Sequence, residues 1–369
     1  MTIGVPKEIK TGETRVSMTP TVCRRITKLG VRVLVEKGAG VRAGFTDAEY
    51  RTAGAALVGS AARIWRSAEL ILKVKEPLPA EYDFIQREQV IFTYLHLAAA
   101  PELARVLVAK HVLGIAYETV ESPDGTLPLL KPMSQIAGRL AVQIGGYFLQ
   151  SQHGGSGLLL GGIPGVAPAH TVVIGAGNSG AHAARMAAGM GSRVTVLDLD
   201  VRKLDILDAE YQGRIATVQA NPANIEHAVC DADLVIGAVL IPGAKAPVVV
   251  TKKMVAGMRP GGVIVDIAVD QGGCVETIRP TSHQEPTYTA HGVVHYAVPN
   301  MPAMVGRTST IALTQATESF VLALGEKGIR RALEEMRGLA KGVNTQDGRI
   351  THPSVARLLG DHGELGRKG

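Results

Sequence analysis

The chain has 369 residues, 46% of them hydrophobic, with a net charge of +6 and a pI near 9.2, a length that points to two domains. Scattered Lys and Arg residues and only 4% aromatics leave few stacking platforms and argue against nucleic acid. No apolar run reaches the roughly 18 residues of a membrane span and no secretory leader is visible, while Cys23, Cys230 and Cys274 are too far apart for a disulfide framework or a C-x-x-C site, so a cytoplasmic protein is expected.

The amino-terminal part alternates strand and helix. Ile3–Ile9 reads as an opening strand, a helix begins in Val16–Pro20 and ends near Gly30, and Val31–Glu36 is a second strand. Leu70–Val74 and Val90–Tyr94 follow as buried strands, and another helix starts near Pro101. Three chemically active side chains stand just past strand ends: Arg15, Lys75 and His96. In a parallel sheet the carboxyl ends of strands open onto one crevice, where ligands bind. A cation pair there can grip a carboxylate, and a histidine can move a proton. Taken singly, each also reads as an ordinary surface or structural residue.

Met133–Phe148 carries apolar residues at Met133, Ile136, Ala137, Leu140, Ala141, Ile144 and Phe148, the spacing of a helix with one buried face. A glycine-rich approach, Gly154–Gly165, leads into the β-branched strand Thr171–Ile174. That strand breaks into Gly175-Ala-Gly177-Asn178-Ser179-Gly180 and an Ala-rich helix, and Arg193–Leu197 is the next strand, ending at Asp198. In such a G-x-G-x-x-G, Gly175 makes the tight turn, Gly177 lets backbone approach a pyrophosphate, and Gly180 lets helix and strand pack closely. Amides at the helix start hold the phosphates. Asp198, 23 positions beyond Gly175, stands where a carboxylate meets the adenosine ribose. It should favour NAD over NADP, although Arg202 and Lys203 lie just beyond. This is a Rossmann dinucleotide-binding unit.

Leu234–Val239, Val263–Ala268 and Tyr296–Val298 continue that unit as buried strands, with Asp270 and Asn300 just past two of the tips. On its own, Asp270 before Gly272-Gly273 reads as a turn aspartate. Thr308–Leu324 and Ile329–Leu339 read as amphipathic helices, and the tail from Gly342 is polar and expected to dock loosely.

Ile3–Lys10, Arg15-Val16, Val74–Leu78, Phe92–Leu97, Ala116–Val120 and Pro132–Gly138 closely resemble the alanine dehydrogenase family. So do His153–Gly155, Leu159–Val166, Val265–Gly273 and Arg307–Thr310, and the resemblance runs to about Gly328. The family is related to the nucleotide-binding part of proton-pumping nicotinamide nucleotide transhydrogenase. The resemblance implies an α/β fold of two Rossmann-like, doubly wound parallel-sheet domains with a cleft between them. It implies a discontinuous substrate domain over residues 1–128 and 308–369 and an NAD-binding domain over 129–307. The implied reaction is reversible oxidative deamination of L-alanine to pyruvate and ammonia, with NAD taking the hydride. His96 becomes the acid/base and Asp270 the essential aspartate; Arg15 and Lys75 hold the carboxylate, and Tyr94, Met133 and Asn300 shape the pocket. To the glycines and Asp198 the implied cofactor set adds Ser134, Asn178, Ser179, Lys203, Val239, Leu240, Ile267 and Val298. No metal, nucleic acid or membrane enters this expectation, and the family implies a homohexamer.

The chain departs from the family pattern at Asn178-Ser179, Ala220, Pro299 and Ala303–Gly306, which bear on how the cofactor is held; no catalytic group is lost. Two other functions compete. One is an NAD-binding transhydrogenase module, and the other a dehydrogenase of a larger amino acid of the lysine or saccharopine type. Leu95-His96-Leu97 together with Asp270 favours the alanine reaction over the first.

Overall fold

Leucine-rich and β-branched runs form the strands, and amphipathic runs with polar caps form the helices between them. The computed structural model describes residues 1–239 and 246–358. Leu240, one of the expected cofactor residues, lies outside the described residues, as does most of the loop Gly243–Pro247. The chain divides into two compact units, Met1–Met133 with Ala303–Gly369, and Ser134–Pro302.

In the first unit, β1 (Thr2–Val5), β2 (Arg32–Glu36), β3 (Ala56–Val58), β4 (Leu70–Leu72), β5 (Val90–Thr93) and β6 (Leu113–Ala116) pair in parallel, in the order β3-β2-β1-β4-β5-β6. Leu70, Ile71 and Leu72 are all fully buried, as strands covered on both faces must be. Within the expected Val16–Pro20 the first helix begins at Pro20, because the Thr19 hydroxyl caps the Val22 amide and Pro20 fills the first turn.

The expectation of a loosely docked tail is corrected. Val343–Gln346 adds to β6 in antiparallel sense, and Arg349–Ile350 adds to it in turn. Thr345 is buried but satisfied: its hydroxyl donates to the Val112 carbonyl at 3.0 Å and accepts the Gly114 amide at 3.1 Å. The stretch Ile329–Leu339 is two helices, Ile329–Glu335 and Arg337–Lys341, broken at Met336. The second brings Gly338 so close to the Glu121 carbonyl that a Cβ would stand 2.6 Å from its oxygen.

In the second unit, β7 (His170–Ile174), β8 (Arg193–Asp198), β9 (Ile215–Gln219), β10 (Leu234–Gly237), β11 (Val263–Asp266), β12 (Thr287–Ala290) and β13 (Val293–Tyr296) lie in the order β12-β13-β11-β10-β7-β8-β9. Only β12 runs antiparallel. Each sheet is therefore parallel-dominated and mixed, with helices between its strands, rather than purely parallel. The winding reverses between β1 and β4 in one unit and between β7 and β10 in the other. Strands β10, β11 and β13 stop short of the expected ends at Val239, Ala268 and Val298. For β11 the cause is Asp266, whose buried carboxylate accepts the amides of Ala268 (2.9 Å), Cys274 (2.7 Å) and Val275 (3.2 Å) and curls Ile267–Gln271 into a 3₁₀ turn. Among the described residues no helix is long and apolar enough to cross a membrane.

Candidate active site

In the first unit the charged groups gather on the loops that leave β1, β4, β5 and β6. Arg15 is 3% exposed and is gripped by Glu13: its backbone amide and Nε donate to Oε1 at 2.9 and 2.7 Å, and Nη2 donates to Oε2 at 2.6 Å. Its Nη1 meets the Met133 sulfur at 3.1 Å. Behind it, Lys73 lies between Glu8 (3.2 Å) and Glu81 (3.0 Å), all three buried. Burial alone would pull both cations down in pKa. The adjoining carboxylates outweigh it and hold Arg15 and Lys73 above their ordinary values. Removing one partner from such a pair strands a buried charge, at about 3–5 kcal/mol.

Tyr94 and His96 follow β5. The Tyr94 ring stacks on the His96 ring with centroids 5.8 Å apart, and its hydroxyl donates to the Leu129 carbonyl at 2.6 Å. Burial raises the Tyr94 pKa, against the pull of Arg15, so the phenol stays neutral. His96 adopts a left-handed backbone with φ 47°, uncommon for a residue with a Cβ. Glu118, after β6, holds it there by accepting the amides of Leu95 (3.2 Å) and His96 (2.6 Å), and one of its oxygens lies 3.9 Å from His96 Nδ1. Lys75 is half-buried, and its carbonyl accepts the Thr93 hydroxyl at 3.0 Å. Arg15, Lys75, Tyr94 and His96 thus stand on loops after neighbouring strands, and Met133, near the start of the helix Lys131–Phe148, touches Arg15. Sequence reading missed Glu13, Glu118, Glu8 and Lys73. Glu13 had a local signal, two residues from Arg15 in a polar loop. Glu118 had none, since its bonds to the Leu95 and His96 amides depend on β5 and β6 being neighbours.

In the second unit the glycine turn joins β7 to the helix Asn178–Gly189, whose N-cap is Gly177 and carries no side-chain cap. A Cβ at Gly175 (φ 100°) would stand 2.7 Å from the Ala238 carbonyl oxygen, which places the turn against the chain leaving β10. A Cβ at Gly180 would collide with the Gly175 carbonyl, whereas at Gly177 it would meet nothing within 4 Å. Two crowded glycines and one open one suit a pyrophosphate at the helix start. Asp198 ends β8 and accepts the amides of Ala176 (2.6 Å) and Asp200 (2.8 Å), with Lys203 Nζ 3.6 Å away. Arg202 is exposed and drawn onto Asp200 by two 2.9 Å bonds.

Asn178 and Lys203 are exposed, Ser134, Ser179, Val239 and Ile267 are half-buried, and Val298 is buried. A Cβ at Gly138, one turn beyond Ser134, would collide with the Ser179 carbonyl, so the helix Lys131–Phe148 lies close against the glycine-turn helix. Asp270 is exposed on the 3₁₀ turn after β11, and its carboxylate accepts the Asn300 amide at 3.3 Å. Asn300 has φ 58°. The structure therefore brings Asp270 and Asn300 together, and separately Asp198 and the glycine turn.

A doubly wound sheet, a glycine turn into a helix start without a side-chain cap, and a carboxylate ending the next strand define the dinucleotide-binding class of α/β proteins. Family models agree with it in detail: "Alanine dehydrogenase/PNT, N-terminal domain" matches residues 4–137 and "Alanine dehydrogenase/PNT, C-terminal domain" residues 141–353. The chain belongs to the alanine dehydrogenase/PNT family. It is 53% identical over 361 residues to an alanine dehydrogenase of Bacillus subtilis, covering 98% of this chain and 95% of that one. An alanine dehydrogenase of Mycolicibacterium smegmatis is 50% identical over 359 residues, covering 97% of each chain. A solved L-alanine dehydrogenase superposes with a TM-score of 0.95 at 52% identity, covering 99% of this chain and 100% of that one. A transhydrogenase from Sinorhizobium meliloti shares the fold, with a TM-score of 0.80 at 23% identity, covering 96% of this chain and 100% of that one.

Proposed function

We propose the following reading. The protein is an NAD-dependent amino-acid dehydrogenase that interconverts L-alanine with pyruvate and ammonia. The observation that carries it is the knot of loops in the first unit, where Arg15, Lys75, the buried Tyr94 and His96 stand past the ends of neighbouring strands, with Glu13 gripping Arg15, the Lys75 carbonyl accepting the Thr93 hydroxyl, and Glu118 accepting the His96 amide. NAD, when bound, supplies the hydride acceptor. Its fit is supported by the crowded Gly175 and Gly180, the open Gly177 and the carboxylate of Asp198.

Arg15 and Lys75 hold the substrate carboxylate, a planar fork beside a point charge. Glu13 keeps the Arg15 guanidinium in one orientation. Hydride departure leaves an imine that water must attack, and His96 takes the proton of that water as general base. Tyr94 stacks against His96 and restrains its ring. Asp270 orients the amino group or the water and balances positive charge on nitrogen. Met133 and Asn300 shape the small pocket. Ser134, Asn178, Ser179, Lys203, Val239, Ile267 and Val298 complete the cofactor site with the glycines and Asp198. Arg15, Lys75, Tyr94, His96 and Met133 belong to the discontinuous first unit, and Asp270, Asn300 and the cofactor residues to the second. A cytoplasmic location suits the three cysteines, none of them disulfide-bonded, and a homohexamer is taken from the family resemblance.

The test is His96→Ala. Turnover should fall roughly 10²–10⁴-fold while NADH binding, followed by fluorescence titration, is retained. Unchanged turnover would return His96 to a structural role.

A further inference from the structure

Behind the two cations that face substrate lies an ion chain that the reaction does not use. Lys73 Nζ stands 3.2 Å from Glu8 Oε2 and 3.0 Å from Glu81 Oε1, with the three side chains 1%, 4% and 4% exposed. Glu8 sits on the loop after β1, the same loop that runs on to Arg15, and Lys73 leaves β4 just ahead of Lys75. The other Glu8 oxygen accepts the Val74 amide at 2.6 Å. One carboxylate therefore holds both a side chain and a backbone amide of the segment that delivers Lys75, from the loop that delivers Arg15. Stability alone does not call for this arrangement, because apolar residues of similar volume often serve a buried site as well or better. A charge pair with a backbone hydrogen bond does what apolar packing cannot: it fixes direction and register. Glu13, which clamps Arg15, lies close enough to Glu8 for the two carboxylates to feel each other, so both cationic groups are referenced to one buried cluster.

Resting on the reading that Arg15 and Lys75 hold the substrate carboxylate, we propose that Glu8 is a positioning residue. Through Lys73 and the Val74 amide it sets the spacing of Lys75 from Arg15, and with it the affinity for the 2-oxo acid. It touches neither substrate nor cofactor.

The consequence is a split that a general structural role does not produce. In Glu8→Gln the side-chain volume and an acceptor for Val74 remain, but the charge that pairs with Lys73 is gone. Glu8→Asp keeps the charge and is one methylene too short to reach both partners. In each variant the KM for pyruvate should rise about tenfold or more, with kcat at saturating pyruvate within about threefold of the parent, the pattern of lost ground-state binding. The NADH dissociation constant, read by fluorescence titration, should not move, and thermal melting on the same preparations should show a folded chain. Glu81→Gln, on the far side of Lys73, should raise the KM less. A parental KM in either folded Glu8 variant overturns the proposal, as does a parallel loss of kcat and NADH affinity, or failure of both variants to fold. If the parent protein itself does not turn over pyruvate, the proposed function fails. If it does and the variants keep its KM, the positioning role alone fails.

Discussion

Asp270 separates structural from chemical duty at a single residue. A turn aspartate earns its place by accepting nearby amides, yet in this turn that work falls to Asp266, buried and bonded to three backbone amides. Asp270 is exposed and takes the Asn300 amide at the long distance of 3.3 Å. Asp270→Asn should therefore leave the melting temperature and NADH affinity close to those of the parent. If the carboxylate balances charge developing on nitrogen, kcat should drop at least about 10²-fold, a few kcal/mol in barrier. Steady-state kinetics beside thermal melting checks both halves, and near-parental turnover would leave Asp270 only a turn role. Asp270 was visible in the sequence only through the family resemblance, since by itself Asp before Gly-Gly reads as a turn. Asp266 looked like an ordinary strand residue, because its partners lie across a turn that residue types do not announce.

At the scale of elements, β13 carries a pH dependence. His295 is fully buried, with its ring nitrogens 2.9 Å from the Val293 carbonyl and 2.8 Å from the Thr277 hydroxyl, and its ring stacked on Tyr288. Burial lowers its pKa, with nearby His291 adding to the shift. As pH falls through the ordinary histidine value of 6.5, the unfolded chain takes up a proton that folded His295 refuses, so stability is lost toward acid. Between about pH 7.5 and about pH 5.5 the melting temperature should fall, and His295→Gln should make the fall shallower. An equal slope in the variant would show that His295 does not contribute. Which elements could be read beforehand follows the same physics. Strands such as β4 and β7 are uninterrupted apolar runs and stand out. The strand Val343–Gln346 does not, because Asn344 and Thr345 are buried polar residues whose partners, the Thr119 hydroxyl after β6 for Asn344 and Val112 and Gly114 for Thr345, lie far away in sequence.

For the whole molecule, the repeated winding of the two sheets explains why function was more legible than detail. In each unit the strand order reverses, between β1 and β4 and between β7 and β10, and Arg15, Lys75 and the glycine turn stand on the loops that leave those strands. A glycine turn, or a cation just past a strand end, therefore points to a site before any contact is known. The bonds of Glu8, Lys73 and Glu118 join loops far apart in sequence, and only the folded order of strands reveals them. The reading as an L-alanine dehydrogenase is most directly tested by mixing the purified protein with NAD and one amino acid at a time and following NADH absorbance. NADH should accumulate rapidly with L-alanine and far more slowly with L-lysine, and no hydride should pass from NADH to an NADP analogue when no amino acid is present. Absence of NADH with L-alanine, equal rates with L-lysine, or exchange between the two nucleotides alone would contradict it.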